Sequence, residues 1–123
     1  MELYELYNYL IVNKGFTVNS KLDIPNDLKF VVSLENNELI VEKKELTLER
    51  FIIIIDAYRM KLKHYNGQSI SNIGCWLNEG FYYFDISINI QFKSLALSIA
   101  RNNNQKAIYD VENDKSIYLE YER

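Results

Sequence analysis

Two aspartates stand in stretches of sequence that otherwise favour β-strands. Asp85 lies in the run from Phe81 to Ile90, and Asp110 lies in the run over residues 107–111. Aspartate is depleted in strands, so each position asks for a physical reason. If the two strands were neighbours, the carboxylates could approach each other and hold a divalent cation for a small metal-dependent enzyme. The alternative is that each aspartate caps a strand end or accepts a hydrogen bond from a nearby backbone N–H in a turn.

Four aromatic residues in the same part of the chain could form a binding surface. Trp76 and Phe81 flank a short turn, and Tyr83 and Tyr109 lie on the strands that carry the aspartates. An exposed aromatic patch marks an interface. If a helix covers that face, the same residues belong to the core, and the sequence does not decide between the two. The candidate partner-binding residues are Trp76, Phe81, Tyr83, Asp85 and Tyr109.

The sequence carries none of the motifs of common active sites. It has no glycine-rich phosphate loop, no His-Glu-x-x-His motif, no EF-hand pattern and no Gly-x-Ser-x-Gly motif. A nucleophile paired with a histidine would need His64, where the nearby Lys61 and Lys63 disfavour a protonated imidazole. One histidine and one cysteine, Cys75, exclude the usual Cys/His zinc sites and an internal disulfide. We therefore expect no catalytic residue, no metal and no cofactor.

Composition and charge are typical of one soluble globular domain, which we expect to span residues 1–123. The chain is 48% hydrophobic and 25% charged, with a net charge of −3. A weakly acidic chain is not expected to bind nucleic acid or an anionic membrane, and its spread carboxylates do not suit a DNA mimic. The N-terminus lacks the features of a signal peptide, and the longest apolar run, from Phe51 to Ile55, is far too short to span a membrane. We expect a cytoplasmic protein.

Hydrophobic periodicity predicts three helices and three hairpins. The predicted helices cover residues 2–13, 48–64 and 93–102. The predicted hairpins pair residues 28–34 with 39–41, 73–77 with 81–90, and 107–111 with 116–119. Their turns lie at Glu35-Asn36-Asn37, Asn78-Glu79-Gly80 and Glu112-Asn113-Asp114. Between Tyr82 and Ile90 the even positions are apolar and the odd positions polar, which predicts one buried and one open strand face.

The order α-ββ-α-ββ-α-ββ indicates an α+β fold on a mainly antiparallel sheet. Residues 16–26 are expected to form a loop or an irregular strand, and residues 68–72 a polar linker. This linker separates an N-terminal part, residues 1–66, from a C-terminal ββαββ unit, residues 73–119. The helix from Phe51 to Ile55 is apolar on every side, so it either sits centrally in the fold or carries a homodimer contact.

The C-terminal unit resembles a module of small accessory proteins carried by phages, plasmids and conjugative elements of low-GC Gram-positive bacteria. The resemblance covers residues 73–119. The residues that carry it are Trp76, Asp85-Ile86-Ser87, Ala96, Ala100-Arg101 and Gln105-Lys106-Ala107-Ile108-Tyr109-Asp110. Some small proteins of such elements are anti-CRISPR inhibitors that bind a Cas nuclease. The resemblance therefore implies a mobile-element protein that blocks host defence by binding.

Three functional hypotheses follow from the sequence and the resemblance. The first is a non-enzymatic inhibitor that binds a type II Cas nuclease and blocks DNA cleavage, with no direct sequence-specific binding of nucleic acid. The second is an immunity or antitoxin-type binding protein. The third is a small divalent-metal enzyme that uses Asp85 and Asp110.

Overall fold

The structure is a computed structural model that describes residues 1–34, 38–65 and 71–120, without the side chains of His64 and Tyr65. Within these residues the protein is an α+β fold of three α-helices and seven β-strands. The helices are α1 (Leu3–Asn13), α2 (Leu48–Tyr65) and α3 (Lys93–Asn102). The strands are β1 (Gly15–Val18), β2 (Phe30–Ser33), β3 (Leu39–Glu42), β4 (Ser71–Asn78), β5 (Phe81–Ile90), β6 (Ala107–Asp110) and β7 (Lys115–Tyr118).

The strands form one antiparallel sheet in the order β1-β4-β5-β2-β6-β7, with β3 also paired to β5. The order predicted from the sequence lacks β1, so it is wrong by one strand. All of β1 except Gly15 falls within residues 16–26, where a loop or irregular strand is predicted, and β1 pairs with β4. Four residues are too few to show a clear alternation. Their pairing partner also lies more than fifty residues away in the sequence, and periodicity does not report such pairing.

The first predicted hairpin is wrong, although both of its strands exist. β2 and β3 do not pair with each other: β2 pairs with residues 87–90 of β5, and β3 pairs with residues 81–84. They lie end to end along the same edge of β5. Because β5 is ten residues long, each four-residue strand can satisfy its backbone hydrogen bonds on that edge. The turn predicted at Glu35-Asn36-Asn37 lies outside the described residues.

The second and third predicted hairpins are confirmed. β4 and β5 are joined by Glu79 and Gly80, which both adopt positive φ angles, 50° and 83°. Positive φ at both central residues is typical of a two-residue hairpin turn that matches the strand twist. β6 and β7 pair within one residue of the predicted bounds. β4 begins earlier than predicted, because Ser71 and Asn72 belong to the strand rather than to a polar linker. The rest of the predicted linker, residues 68–70, lies outside the described residues.

All three helices pack on the same face of the sheet. The register places the even-numbered residues of β5 on one face, together with Phe16 of β1 and Val32 of β2. Helices α1 and α2 bury the half of this face formed by β1, β4 and the first part of β5. Helix α3 covers the other half through Ala96 and Ala100. We call this the helix face and the opposite side the open face.

The orientation of α2 explains the apolar run on which the predicted dimer contact rests. Phe51, Ile55, Tyr58 and Leu62 follow helical spacing and are buried against the sheet. Ile53, on the same helix, is 64% exposed. It lines an open groove of about 330 Å³ between α2 and β3, together with Leu39, Val41, Arg50 and Ile54. A homodimer through this helix stays a prediction.

Candidate functional site

The open face carries a row of four aligned residues, three of them with large side chains, across strands β1, β4, β5 and β3. The register aligns Gly15 of β1, Trp76 of β4, Tyr83 of β5 and Ile40 of β3 side by side. We call these four residues the aromatic row. The rings of Trp76 and Tyr83 are stacked, with centroids 5.5 Å apart and planes inclined by 11°. Residues directly opposite in an antiparallel sheet lie close enough for such a ring pair.

The aromatic row reaches solvent. Trp76 is 39% exposed and Ile40 is 53% exposed, while Tyr83 between them is half-buried. Phe81 lies on the same face, two residues before Tyr83 on β5, and is 37% exposed. The question that the sequence leaves open is thus decided: among the described residues, no helix covers these side chains, and they are not core.

Tyr109 also lies on the open face, but far from the aromatic row. It pairs with Val31 of β2, which in turn pairs with Asn89 of β5. Asn89 is six residues along β5 from Tyr83, about 20 Å at the rise of an extended strand. The Tyr109 hydroxyl donates a hydrogen bond to Asp114. Burial and this bond raise the pKa of Tyr109 to about 12. Tyr109 therefore does not join Trp76 and Tyr83 in one contact site.

Asp85 lies on the open face but is buried, with 5% of its surface exposed. The predicted exposure of the odd positions of β5 is therefore wrong for Asp85, and also for Ser87, which is 1% exposed. The cause for Asp85 is its cross-strand partner, Gly74. A Cβ atom on Gly74 would come within 3.0 Å of Asp85 Oδ1. The carboxylate therefore occupies the space that any other residue at position 74 would fill.

Two further buried polar side chains lie beside Asp85, and the sequence analysis missed one of them. Asn72 pairs with Ser87 across β4 and β5, and both are 1% exposed. Asn72 Oδ1 and Ser87 Oγ have no hydrogen-bond partner in the part of the chain that the structure describes. Ordered water commonly satisfies such groups. Counting the alternation of β4 backwards from Trp76 through Gly74 would have placed Asn72 on this face.

The structure does not bring Asp85 and Asp110 together. Strand β2 lies between β5 and β6, so the two strands are not neighbours. Asp110 pairs with Phe30 and hence lies on the helix face, opposite to Asp85. The Asp110 carboxylate accepts bonds from the Asn113 backbone N–H at 3.2 Å and from Asn113 Nδ2 at 2.8 Å. Asp110 thus follows the alternative in which the aspartate closes a turn.

The hydrogen bonds from Asn113 lower the pKa of Asp110, and Lys115 adds to this effect. A carboxyl group with a lowered pKa in the folded state stabilises that state above its unfolded pKa, and the stabilisation is lost as the pH falls. We expect the free energy of unfolding to fall more steeply between about pH 5 and about pH 3 in the wild type than in Asp110→Asn. Urea unfolding at several pH values measures both slopes. Asp56→Asn, the same change at an exposed position of α2, is the control, and equal slopes for wild type and Asp110→Asn would contradict the prediction.

Cys75 lies on the helix face in the larger core and is 1% exposed. Burial raises the pKa of its thiol, and the negative charge of Asp85 raises it further. A thiol with a raised pKa holds little of the nucleophilic thiolate at neutral pH. This location is typical of a structural cysteine. The side chain of His64, its only candidate histidine partner, lies outside the described residues.

The described residues contain no group of three or more His, Cys, Asp or Glu side chains that could hold a metal ion. Within the same ranges, no helix has both the length and the apolar character needed to cross a membrane. Comparisons of this chain with known protein families, with curated proteins and with solved structures found no match.

Proposed function

We propose that this chain is a non-enzymatic inhibitor of host defence, an anti-CRISPR protein that binds a type II Cas nuclease and blocks DNA cleavage. The observation that carries the binding role is the stacked pair of Trp76 and Tyr83 on a sheet face that no described helix covers. The class of partner rests on the resemblance of residues 73–119 to proteins of mobile elements.

Trp76 and Tyr83 have the properties of an interface anchor. Tryptophan and tyrosine are enriched among the residues that dominate binding energy, because they bury a large area at a small cost in conformational entropy. Their stacking holds both rings in place before the partner arrives, which lowers the ordering cost further. Ile40 and Phe81 extend the contact area on either side.

The net charge of the chain, −3, supports a basic partner surface. Among the strand residues on the open face, the charged ones are Glu42, whose carboxylate lies 3.7 Å from Lys44 Nζ, and Asp85, which is buried. The basic strand residue, Lys115, lies on the helix face, since it pairs with Asp110. Cas9-type nucleases hold the guide–target heteroduplex in a positively charged channel. A weakly acidic chain with an exposed aromatic pair on its open face suits docking at such a surface better than imitation of a phosphate backbone.

A guide-directed DNA cleavage assay tests the proposed function. The purified protein is titrated against several type II effector nucleases, with order of addition of guide and target varied to locate the blocked step. We expect inhibition near a one-to-one ratio, as for a stoichiometric binding inhibitor. Full cleavage by every effector at a large excess of the protein would overturn the nuclease assignment. Two further experiments would then test the immunity-type alternative. One is a pull-down of binding proteins from host lysate, and the other is a binding assay with the product of a toxin gene adjacent to the gene for this chain.

Trp76→Ala is expected to weaken binding to the inhibited nuclease by at least about 30-fold, since truncation of a central aromatic anchor typically costs 2 kcal/mol or more. The variant should remain folded, because Trp76 lies outside both buried clusters. Isothermal titration measures affinity, and circular dichroism with urea unfolding checks the fold. Tyr4→Ala is the matched control, because Tyr4 is an aromatic residue that is 58% exposed on α1, away from the open face. Equal affinities of the two variants would remove Trp76 from the interface.

A further inference from the structure

Strand β3 has one edge paired with β5 and one edge that faces away from the sheet. Among the described strands, β3 pairs with β5 and with no other. The Lys43 N–H donates to the Gly80 carbonyl oxygen at 2.9 Å, in continuation of this ladder. Hydrogen-bonded pairs alternate along an antiparallel ladder, so the odd-numbered residues of β3 are the ones bonded to β5. The backbone N–H and C=O groups of Ile40 and Glu42 therefore point outward, away from β5.

The side chains around this outer edge are apolar. Leu39 and Ile40 are both exposed, on opposite faces of the strand. On the helix face the edge borders the groove of about 330 Å³ between α2 and β3, where Ile53 is exposed. Outward backbone groups beside apolar side chains form a template for another strand, and proteins usually protect such an edge with charged residues or proline. The first three residues of β3, Leu39-Ile40-Val41, include neither.

The charges at the two ends of β3 suit pairing with a second copy of the same strand. Glu38 directly precedes the strand, and Lys43 directly follows it. Neither side chain forms an ion pair within the part of the chain that the structure describes. Antiparallel pairing about a two-fold axis brings the acidic end of each strand beside the basic end of the other. The strand is thus complementary in charge to itself in the antiparallel orientation.

Hydrogen bonding and charge together select one register for such a pair. The outward backbone groups belong to even-numbered residues, so even-numbered residues must pair with one another. If Ile40 paired with Ile40 of the second copy, Glu38 would face Glu42. If Glu42 paired with itself, two carboxylates would again be opposite, and like charges directly opposite destabilise a sheet. The register between these two pairs Ile40 with Glu42, is centred on Val41 and places no like charges opposite each other.

We propose that two copies of this chain pair through β3, antiparallel about a two-fold axis centred on Val41, to form one continuous sheet. Ile40 and Glu42 of the two copies then form two hydrogen-bonded pairs of two bonds each. The axis is perpendicular to the sheet, so the two apolar grooves meet on the helix face and Ile53 of each copy lines the joined groove. Because the contact is small, the dimer dissociates on dilution.

This dimer is independent of the proposed function, because only copies of this chain take part in it. The contact lies on β3, on the side of β5 opposite to β4, so the stacked pair of Trp76 and Tyr83 stays outside it. A chain that is always monomeric would end this inference and leave the proposed inhibitor intact. A dimer that inhibits no nuclease would do the reverse.

Sedimentation equilibrium of the purified chain measures the proposed dimer. We expect the wild type to self-associate reversibly with a stoichiometry of two. Ile40→Pro removes an outward N–H group and none that bonds to β5, so the variant should remain folded. Its self-association should be about 30-fold weaker, because one hydrogen bond is lost from each copy. A wild type that stays monomeric up to its solubility limit, or unchanged association of folded Ile40→Pro, would overturn the proposal.

Ser116→Pro is the matched control, because β7 is also at an edge of the sheet. The Leu119 N–H donates to the Lys106 carbonyl oxygen, so the same alternation points the Ser116 N–H away from β6. This variant should associate like the wild type, and equal weakening by the two prolines would contradict the proposal. If circular dichroism shows that Ile40→Pro does not fold, Ile40→Glu replaces it, since its carboxylate would face Glu42 of the second copy and should weaken association.

Charge reversal tests whether the two strands pair with antiparallel ends. Glu38→Lys places like charges at both ends of the contact, and so does the double variant Lys43→Glu/Lys44→Glu. Each variant alone should self-associate about threefold to tenfold more weakly than the wild type. A mixture of the two variants, with one of them fluorescently labelled, has opposite charges at both ends and should recover the wild-type affinity. If the mixture associates no better than each variant alone, the strands do not pair in this way and the proposal fails.

Discussion

Replacing Phe51 with alanine is expected to lower the free energy of unfolding by about 4 kcal/mol, which lies within the range of costs measured for truncating buried phenylalanine in well-packed cores. Phe51 is fully buried on α2. Its ring lies between three others, with centroid distances of 5.4 Å to Tyr7, 6.1 Å to Phe16 and 6.4 Å to Phe84. These rings come from α1, β1 and β5, so the truncation leaves a cavity where three elements meet.

Urea unfolding followed by circular dichroism measures this loss, and Ile53→Ala is the matched control. Ile53 lies two residues away on the same helix but is 64% exposed, so its truncation should cost less than about 1 kcal/mol. If Phe51→Ala does not fold, Phe51→Leu retains most of the volume and should cost about 1 to 2 kcal/mol. Similar losses for Phe51→Ala and Ile53→Ala would mean that α2 does not anchor the core as the structure shows.

Sequence periodicity predicted those parts of the fold whose partners are close along the chain. The three helices and the second and third hairpins follow from local patterns, since an apolar stripe or a turn between two alternating runs is a short-range signal. The first hairpin failed for the same reason. Residues 28–34 and 39–41 have the local pattern of a hairpin, but both strands form their backbone hydrogen bonds with the edge of β5 instead of with each other. No pattern within residues 28–41 records the length of β5.

The candidate site shows the same limit at the level of single residues. Alternation along β5 places Tyr83 and Asp85 on the same face, which the register supports. The alternation does not predict that Trp76 lies beside Tyr83. It also does not predict that Trp76 is exposed whereas Asp85 is buried. That difference depends on the residue across the strand pair, a tryptophan in one case and a glycine in the other. Similarly, the proposed approach of Asp85 to Asp110 fails because β2 intervenes, and strand order is not a local property.

Gly74→Val is expected to lower the free energy of unfolding by about 3 kcal/mol, at the upper end of the usual cost of overpacking. The new Cβ atom would overlap Asp85 Oδ1, and the carboxylate has little room to move because Asp85 is 5% exposed. Valine itself favours strands, so the loss would come from the clash and from disturbing a buried charge rather than from propensity. Urea unfolding at pH 7 measures the change.

A double-mutant cycle with Asp85→Ala tests this cause. With the carboxylate removed, the valine side chain can occupy the vacated space, so Gly74→Val should cost less than about 1 kcal/mol in the Asp85→Ala background. The coupling energy of about 2 kcal/mol would be specific to this cross-strand pair. Thr17→Val, on the other strand neighbour of Gly74, is the control and should show the same cost in both backgrounds. If Gly74→Val costs as much without the carboxylate as with it, then Gly74 is required by its own backbone packing and not by Asp85.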